Sequence, residues 1–318
     1  MQTVYVMNIT HWEISDSLKQ ELESHYKTGY SLALSNQKPM EIVKALTFDG
    51  LSNSVTVEKL TRFLNLLNTG FLKNGIKGVG LEIGSGPGTF VATFANLPNV
   101  EHVYGVEACE SIVTVLMEKV VAHISGENGY KVTGAIADFD HLSLKDNSLD
   151  FIFDFFSLHH SSNPAITLKE LARVLKPGGL IFCIDKARAD SMTDANLEAL
   201  LDVEYSLEGK ISMGIPPEVK HTRRMNGEHE YRRKDWKKYF EEAGFTNFTH
   251  YNAAKIAGAT PIRAFKYFIS LLPIRMQTLL SSHFSRRVTN NLEPSNRIFI
   301  NIFPDYPREF SLIFAWKK

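Results

Sequence analysis

The sequence predicts an α/β fold built on a doubly wound, mostly parallel sheet, and two observations carry that expectation. Between residues 79 and 185 short apolar runs alternate with segments of helical periodicity. The first run, V-G-L-E-I, breaks at once into a glycine-rich turn, G-S-G-P-G-T, over residues 84–89. With 318 residues the chain has room for one large α/β domain with additions, or for two domains.

Val79, Leu81 and Ile83 suit a strand covered on both faces. The glycines after it let the backbone turn sharply and approach a ligand without Cβ clashes. Their spacing is G-x-G-x-G, with Pro87 inside and Thr89 where a dinucleotide fingerprint, G-x-G-x-x-G, approaches its third glycine. Glu82 lies two residues before Gly84. A carboxylate there disfavours a pyrophosphate and suits a cationic ligand. A second apolar strand, V-Y-G-V-E, ends in Glu107 about twenty residues further on, where an acidic side chain can accept both hydrogen bonds of a ribose diol.

In this order the pieces resemble the class I S-adenosylmethionine (SAM)-dependent methyltransferases, in particular the UbiE-like group: E-x-G-x-G-x-G after an apolar strand is similar to their motif I. The resemblance implies a Rossmann-like sheet of seven strands with an antiparallel edge pair. It also implies SAM as cofactor and S-adenosylhomocysteine as product. Carried over residue by residue, it assigns Glu82, Gly84, Ser85, Gly86 and Gly88 to the cofactor loop, and Glu107 with Ala108 to the ribose. Asp138 and Phe139, after a third strand over about residues 130–137, fall at the adenine site; Phe155 and Phe156 follow a fourth strand over 149–154. A helix carrying L-A-R-V-L-K-P-G-G over 171–179 then turns into a fifth strand, 180–185, and this K-P-G-G turn is a specific family signature. The resemblance covers residues 79–185. A nicotinamide-binding domain is the alternative for the same stretch.

Residues 1–78 are expected to form a helical arm and cap. Ile14, Leu18, Leu22 and Tyr26 sit at helical spacing, and Val57, Leu60, Leu64, Leu67 and Phe71 make a stronger helical face behind a cap at Thr56. The aromatic-rich segment 24–30, with Tyr26 and Tyr30, either closes over the cofactor or anchors a surface helix. Residues 186–233 are an insertion at the place where the resemblance implies a substrate lid, with an acidic helical stretch over 190–208. A helix over 235–245 presents Trp236, Tyr239 and Phe240 on one face and stops at Gly244. Strands over 246–252 and 310–316 complete residues 234–318, separated by a second insertion at about 256–308.

That second insertion is basic. From 256 to 291 there is no acidic residue, while Arg263, Lys266, Arg275, Arg286 and Arg287 are cationic and Ile262, Phe265, Ile269 and Leu272 recur at helical spacing up to Pro273. Such a segment suits an ordinary packed helix, a subunit contact in a homodimer, or a peripheral membrane contact. Elsewhere charge is balanced, with 35 basic and 35 acidic residues, so no global surplus argues for nucleic acid. The fourth strand ends in Asp154-Phe155-Phe156-Ser157, without the prolyl turn that holds a flipped base, which also disfavours nucleic acid. Two cysteines, Cys109 and Cys183, indicate packing rather than a disulfide framework. With no signal-peptide pattern at the start and no run of ~20 apolar residues, a cytoplasmic location is expected.

Transfer of a methyl to an acceptor hydroxyl or carbon acid needs a base, and histidine is the side chain poised for it near neutrality. His160 and its neighbour His159 follow the fourth strand, and His229 lies in the lid between Glu228 and Glu230, either of which could orient its imidazole. No metal-ligand spacing accompanies them, so no metal is expected. The reading is methyl transfer to oxygen of a small-molecule, glycan or lipid-linked acceptor. Carbon methylation of a quinone-like ring is the nearest rival, and a non-catalytic SAM-fold subunit serving a partner is the alternative of another class.

Overall fold

A single twisted sheet organises the computed structural model of the chain, which describes residues 6–16, 18, 35–46, 61, 64–65, 67–68, 75–212, 215–255, 265, 268–269, 272–273, 276, 280, 297–300 and 310–318. Its strands are β1 (Asn8–His11), β2 (Gly78–Ile83), β3 (Val100–Glu107), β4 (Val132–Ile136), β5 (Leu149–Phe155), β6 (Leu175–Asp185), β7 (Phe245–Lys255), β8 (Arg297–Ile300) and β9 (Phe310–Lys317). They lie in the order β1-β4-β3-β2-β5-β6-β9-β7-β8. The seven expected strands are the inner ones, β2 to β7 with β9; a short parallel strand is added at each edge, β1 on β4 and β8 on β7. The β9 strand runs antiparallel between β6 and β7.

Helices cover both faces, as the apolar character of the strands requires. The first helix, α1 (Pro39–Leu46), precedes β2; Phe151, Phe153 and Phe182 point to one face of the sheet, against α2 (Thr89–Ala95) and α3 (Glu118–Ser125). Leu81, Ile83, Ile152 and Ile181 point to the other, against α4 (Pro164–Val174) and a later helix through Trp236 and Phe240. The segment before α3, Ile112–Met117, is wound as a π-helix, and it buries Ile112 and Leu116 with Val120 beyond it.

Several boundaries differ from expectation for identifiable reasons. The helix expected up to the K-P-G-G turn stops at Val174, and β6 begins at Leu175, because Leu149 of β5 pairs with Leu175 and draws the chain into the sheet early. The helix expected over 235–245 is Arg233–Glu242, started by Asp235, whose carboxylate accepts the Arg232 backbone N–H at 2.9 Å. It ends before Gly244, whose φ of +93° turns the chain into β7. The acidic stretch 190–208 splits into Asp194–Leu201 and Leu207–Ser212, and Tyr205 between them turns inward to Glu228. Of the N-terminal arm, Ile14 packs on the sheet and Leu64 and Leu67 are fully buried. Leu22, Tyr26, Tyr30, Thr56, Val57, Leu60 and Phe71 lie outside the described residues, as do Ile262, Arg263, Lys266, Arg275, Arg286 and Arg287.

Candidate active site

The carboxyl ends of β2, β3, β4, β5 and β6 lie side by side, and the expected cofactor residues gather there. Glu82 is buried and accepts the Val91 N–H at 2.9 Å, so it caps the first turn of α2 and fixes the glycine loop between them. Burial holds its carboxyl above the ordinary range. Within the loop the glycines differ in role. A Cβ on Gly84 would lie 2.2 Å from Ser157 Oγ, and one on Gly88 would lie 2.6 Å from Met117 Cγ, so these two pack against neighbours. A Cβ on Gly86 would meet nothing within 4 Å, although its φ of +50° still favours glycine. Ser85 turns its hydroxyl toward Gly105 of β3, buried and with no hydrogen-bond partner in the described structure.

Glu107 closes the other side of the loop. Its Oε2 accepts the Gly86 N–H at 3.1 Å, its Oε1 accepts the Cys109 N–H at 2.9 Å, and the Ala108 amide adds to them. At β4, Asp138 accepts the Asp140 N–H at 2.9 Å and the Ser15 hydroxyl at 3.2 Å, while its own N–H donates to the Glu13 carbonyl. The chain beyond β1 therefore reaches this edge of the site. Phe139 packs on the neighbouring cluster. Phe155 packs against Phe90 with 4.7 Å between ring centroids and the rings tilted by 46°, and Phe156 follows with φ +56°, a conformation rare for a bulky residue.

The histidines occupy distinct positions. His159 is buried; its backbone N–H donates to Asp185 Oδ2 at 2.9 Å and its Nδ1 lies 2.6 Å from Asp185 Oδ1. Burial first, and then the cations Lys186, Arg223 and Arg188, push its pKa well down, so the ring is neutral at neutral pH. Asp185 is raised by burial, an effect opposed by the Lys186 and His159 backbone N–H groups and by the Lys186 charge. Across the strand, Asp154 is raised further by burial and by Asp185; its Oδ1 accepts the Ser157 and Leu158 N–H groups. His160 packs against His159 with 4.3 Å between ring centroids and the rings tilted by 40°, and it hydrogen-bonds the Gly227 backbone.

His229 donates its backbone N–H to the His159 carbonyl at 2.9 Å, which brings the 186–233 insertion against the loop after β5. The carboxylates beside it serve other groups. Glu228 takes Lys186, Arg223 at 3.0 Å and the Tyr205 hydroxyl; Glu230 takes Arg188 through Nε at 2.5 Å and Nη2 at 2.7 Å. Orientation of an imidazole by a carboxylate, expected at His229, is thus found at His159. Asp185 and the buried ion-pair cluster of Lys186, Arg188 and Arg223 were absent from the sequence expectation. Their trace in the sequence is that Asp185 ends the fifth predicted strand and Lys186 and Arg188 come just after it.

No group of three or more histidine, cysteine or acidic side chains among the described residues is arranged to hold a metal ion. The cofactor loop, by contrast, fits an extended adenosyl ligand: the Cβ position of Gly86 is open and the Glu107 carboxylate stands beside it.

A fold with five parallel strand ends, a glycine loop capped by a buried glutamate and a second acidic residue at the next strand end defines a nucleoside-binding transferase. Residues 81–183 match the family described as a methyltransferase domain, and they make this core a SAM-dependent methyltransferase domain. The chain is 29% identical over 203 residues to the demethylmenaquinone methyltransferase of Staphylococcus aureus, across 63% of this chain and 80% of that protein. In fold it resembles phosphoethanolamine N-methyltransferase 2 of Haemonchus contortus, solved with phosphomonomethylethanolamine and S-adenosylhomocysteine. The TM-score is 0.52 at 15% identity, over 96% of this chain and 61% of that one. The YcgJ protein of Bacillus subtilis gives a TM-score of 0.47 at 18% identity, over 83% of this chain and 99% of that one.

Proposed function

We propose that the enzyme methylates an oxygen of a small-molecule, glycan or lipid-linked acceptor, with His159 as general base and Asp185 as the residue that positions it. The observation that carries this reading is the 2.6 Å contact between His159 Nδ1 and Asp185 Oδ1 at the end of β5. A carboxylate on Nδ1 selects the tautomer with the proton there and leaves Nε2 as the acceptor. An amine acceptor would need no such base; a hydroxyl does. Bound SAM supplies the electrophilic methyl carbon, held in this proposal by Gly84, Gly86 and Glu107 with Asp138 and Phe139 at the adenine end. The protein then brings the acceptor hydroxyl into line, excludes water and takes up the proton on Nε2. His160 and His229 border the same loop and serve to place the acceptor.

Asp185→Asn keeps the shape of the side chain and removes the anion. It should lower kcat by about 10²-fold or more while SAM affinity measured by calorimetry stays near wild type. Unchanged turnover with a labelled methyl donor would exclude the dyad as base. The similarity to a protein named demethylmenaquinone methyltransferase supports a second reading, methylation of a ring carbon in a quinone-like acceptor. The same base would serve, and treatment of the labelled product with hydriodic acid, which releases the methyl of an ether or ester and leaves a C-methyl in place, distinguishes the two.

A further inference from the structure

We propose that Asp154 is a positioning residue of the reaction: it keeps a proton on Oδ2 and shares it with Asp185, the carboxylate that orients His159. The inference rests on the reading of His159 and Asp185 as the base pair and adds a third member to it.

Register brings the two carboxyls together. Asp154 of β5 pairs with Cys183 of β6, on the face of the sheet that holds Ile152 and Ile181. Asp185 lies two residues further along β6, so its side chain leaves the same face as that of Cys183. Asp154 and Asp185 are therefore diagonal neighbours, and both are enclosed, at 0% and 1% exposure.

The two oxygens of Asp154 have different surroundings. Its Oδ1 accepts the Ser157 N–H at 3.0 Å and the Leu158 N–H at 2.8 Å. Its Oδ2 is buried and meets no donor among the described residues. The cations on β6 and the insertion are engaged elsewhere, Lys186 and Arg223 on Glu228 and Arg188 on Glu230. An anionic oxygen without a donor, in a closed site beside a second carboxylate, is unfavourable on both counts; a proton removes both penalties and turns Oδ2 into a donor. Burial first, and then the Asp185 charge, accordingly push the Asp154 carboxyl well above the ordinary range, and a hydrogen bond between the two side chains adds to them. Asp185 is the better holder of the negative charge, because it accepts the His159 and Lys186 N–H groups and lies near the Lys186 ammonium. The arrangement is two carboxyls with one proton between them.

That proton fixes the Asp185 side chain and draws charge from it, so Asp185 orients the His159 Nδ1–H without removing its proton. Through Oδ1 the same residue holds Ser157, whose hydroxyl donates to the Gly84 carbonyl at 3.1 Å. One side chain thus sets both the base and the cofactor loop. During transfer the acceptor proton passes to His159 Nε2, while the Asp154 proton stays between the carboxyls.

Infrared spectroscopy of the full chain, with aspartate carrying ¹³C at the side-chain carboxyl, reads the proton directly. At about pH 8, where ordinary aspartates are ionised, wild type should show a carboxylic-acid carbonyl band that moves with the label, and Asp154→Asn should lose it. In proton NMR the His159 Nδ1–H resonance should stay in place in Asp154→Asn, whose amide also offers a donor, and move to lower field in Asp154→Val, which offers none. Absence of the labelled band from wild type, a result independent of how any variant folds, would overturn the proposal. So would survival of the band in Asp154→Asn, or an unmoved resonance in folded Asp154→Val. Asp185→Asn separates this inference from the one beneath it. Normal turnover of that variant with the wild-type band in place removes the base, whereas a missing band with Asp185→Asn inactive removes the shared proton alone.

Discussion

Gly84 and Gly86 sit two residues apart and would respond differently to a methyl group. At Gly86 the only cost to the fold is the left-handed backbone, about 1–2 kcal/mol for an alanine. At Gly84 the same backbone cost is joined by a collision with Ser157, whose hydroxyl holds the Gly84 carbonyl at 3.1 Å. Gly86→Ala should therefore melt only slightly below wild type in chemical denaturation yet bind SAM weakly, because its new Cβ occupies the open side of the loop. Gly84→Ala should lose both stability and binding. The histidines show where reading from sequence stops at this scale. Glu228 and Glu230 flank His229 in the chain, but in an extended segment adjacent side chains diverge, and both carboxylates turn to the cations Lys186, Arg223 and Arg188. Asp185 reaches His159 across 26 positions, a pairing that only the parallel register of β5 and β6 creates.

At the scale of elements, the antiparallel pair of β7 and β9 was legible as two apolar runs, and its half-buried histidine makes the pair sensitive to acid. His250 Nε2 lies 2.8 Å from Ser311 Oγ across the strands, and burial, with Arg233 nearby, lowers its pKa from 6.5 to about 3. Between those values the unfolded chain holds a proton on His250 that the folded chain does not, so stability falls as pH drops below 6.5. Urea titrations of wild type and His250→Gln should show the wild type losing about 2 kcal/mol relative to the variant between pH 6.5 and pH 5. The expected core, 79–185, was readable because each strand there is apolar and each connection short. The helix break at 202–206 was not, because Tyr205 leaves helical geometry for a carboxylate more than twenty residues away. Nor was the added strand β1, whose four residues N-I-T-H are polar enough to pass for a loop.

For the whole molecule, the cofactor loop touches elements from both halves of the sheet. Glu107 of β3 holds Gly86, Ser157 after β5 holds Gly84, and the segment following β1 reaches Asp138. A ligand seated among them should stabilise the entire fold. At a hundredfold excess over its Kd, SAM should add about 2.7 kcal/mol and raise the melting temperature by several degrees. Glu107→Ala should abolish most of that increment, a comparison that differential scanning calorimetry reads directly.

The placement of β9 also dictates how the chain must be assembled. Residues 310–317 fill the gap between β6 and β7 and contribute the buried Leu312, Ile313 and Phe314 to both hydrophobic clusters. During synthesis, two strands with open hydrogen-bonding edges wait for a segment made more than fifty residues after Lys255 leaves the ribosome. Until it arrives they are templates for mispairing. Folding is therefore completed after translation of this strand rather than alongside it, and a chain cut before residue 310 should partition to chaperones or aggregates even with every cofactor residue intact.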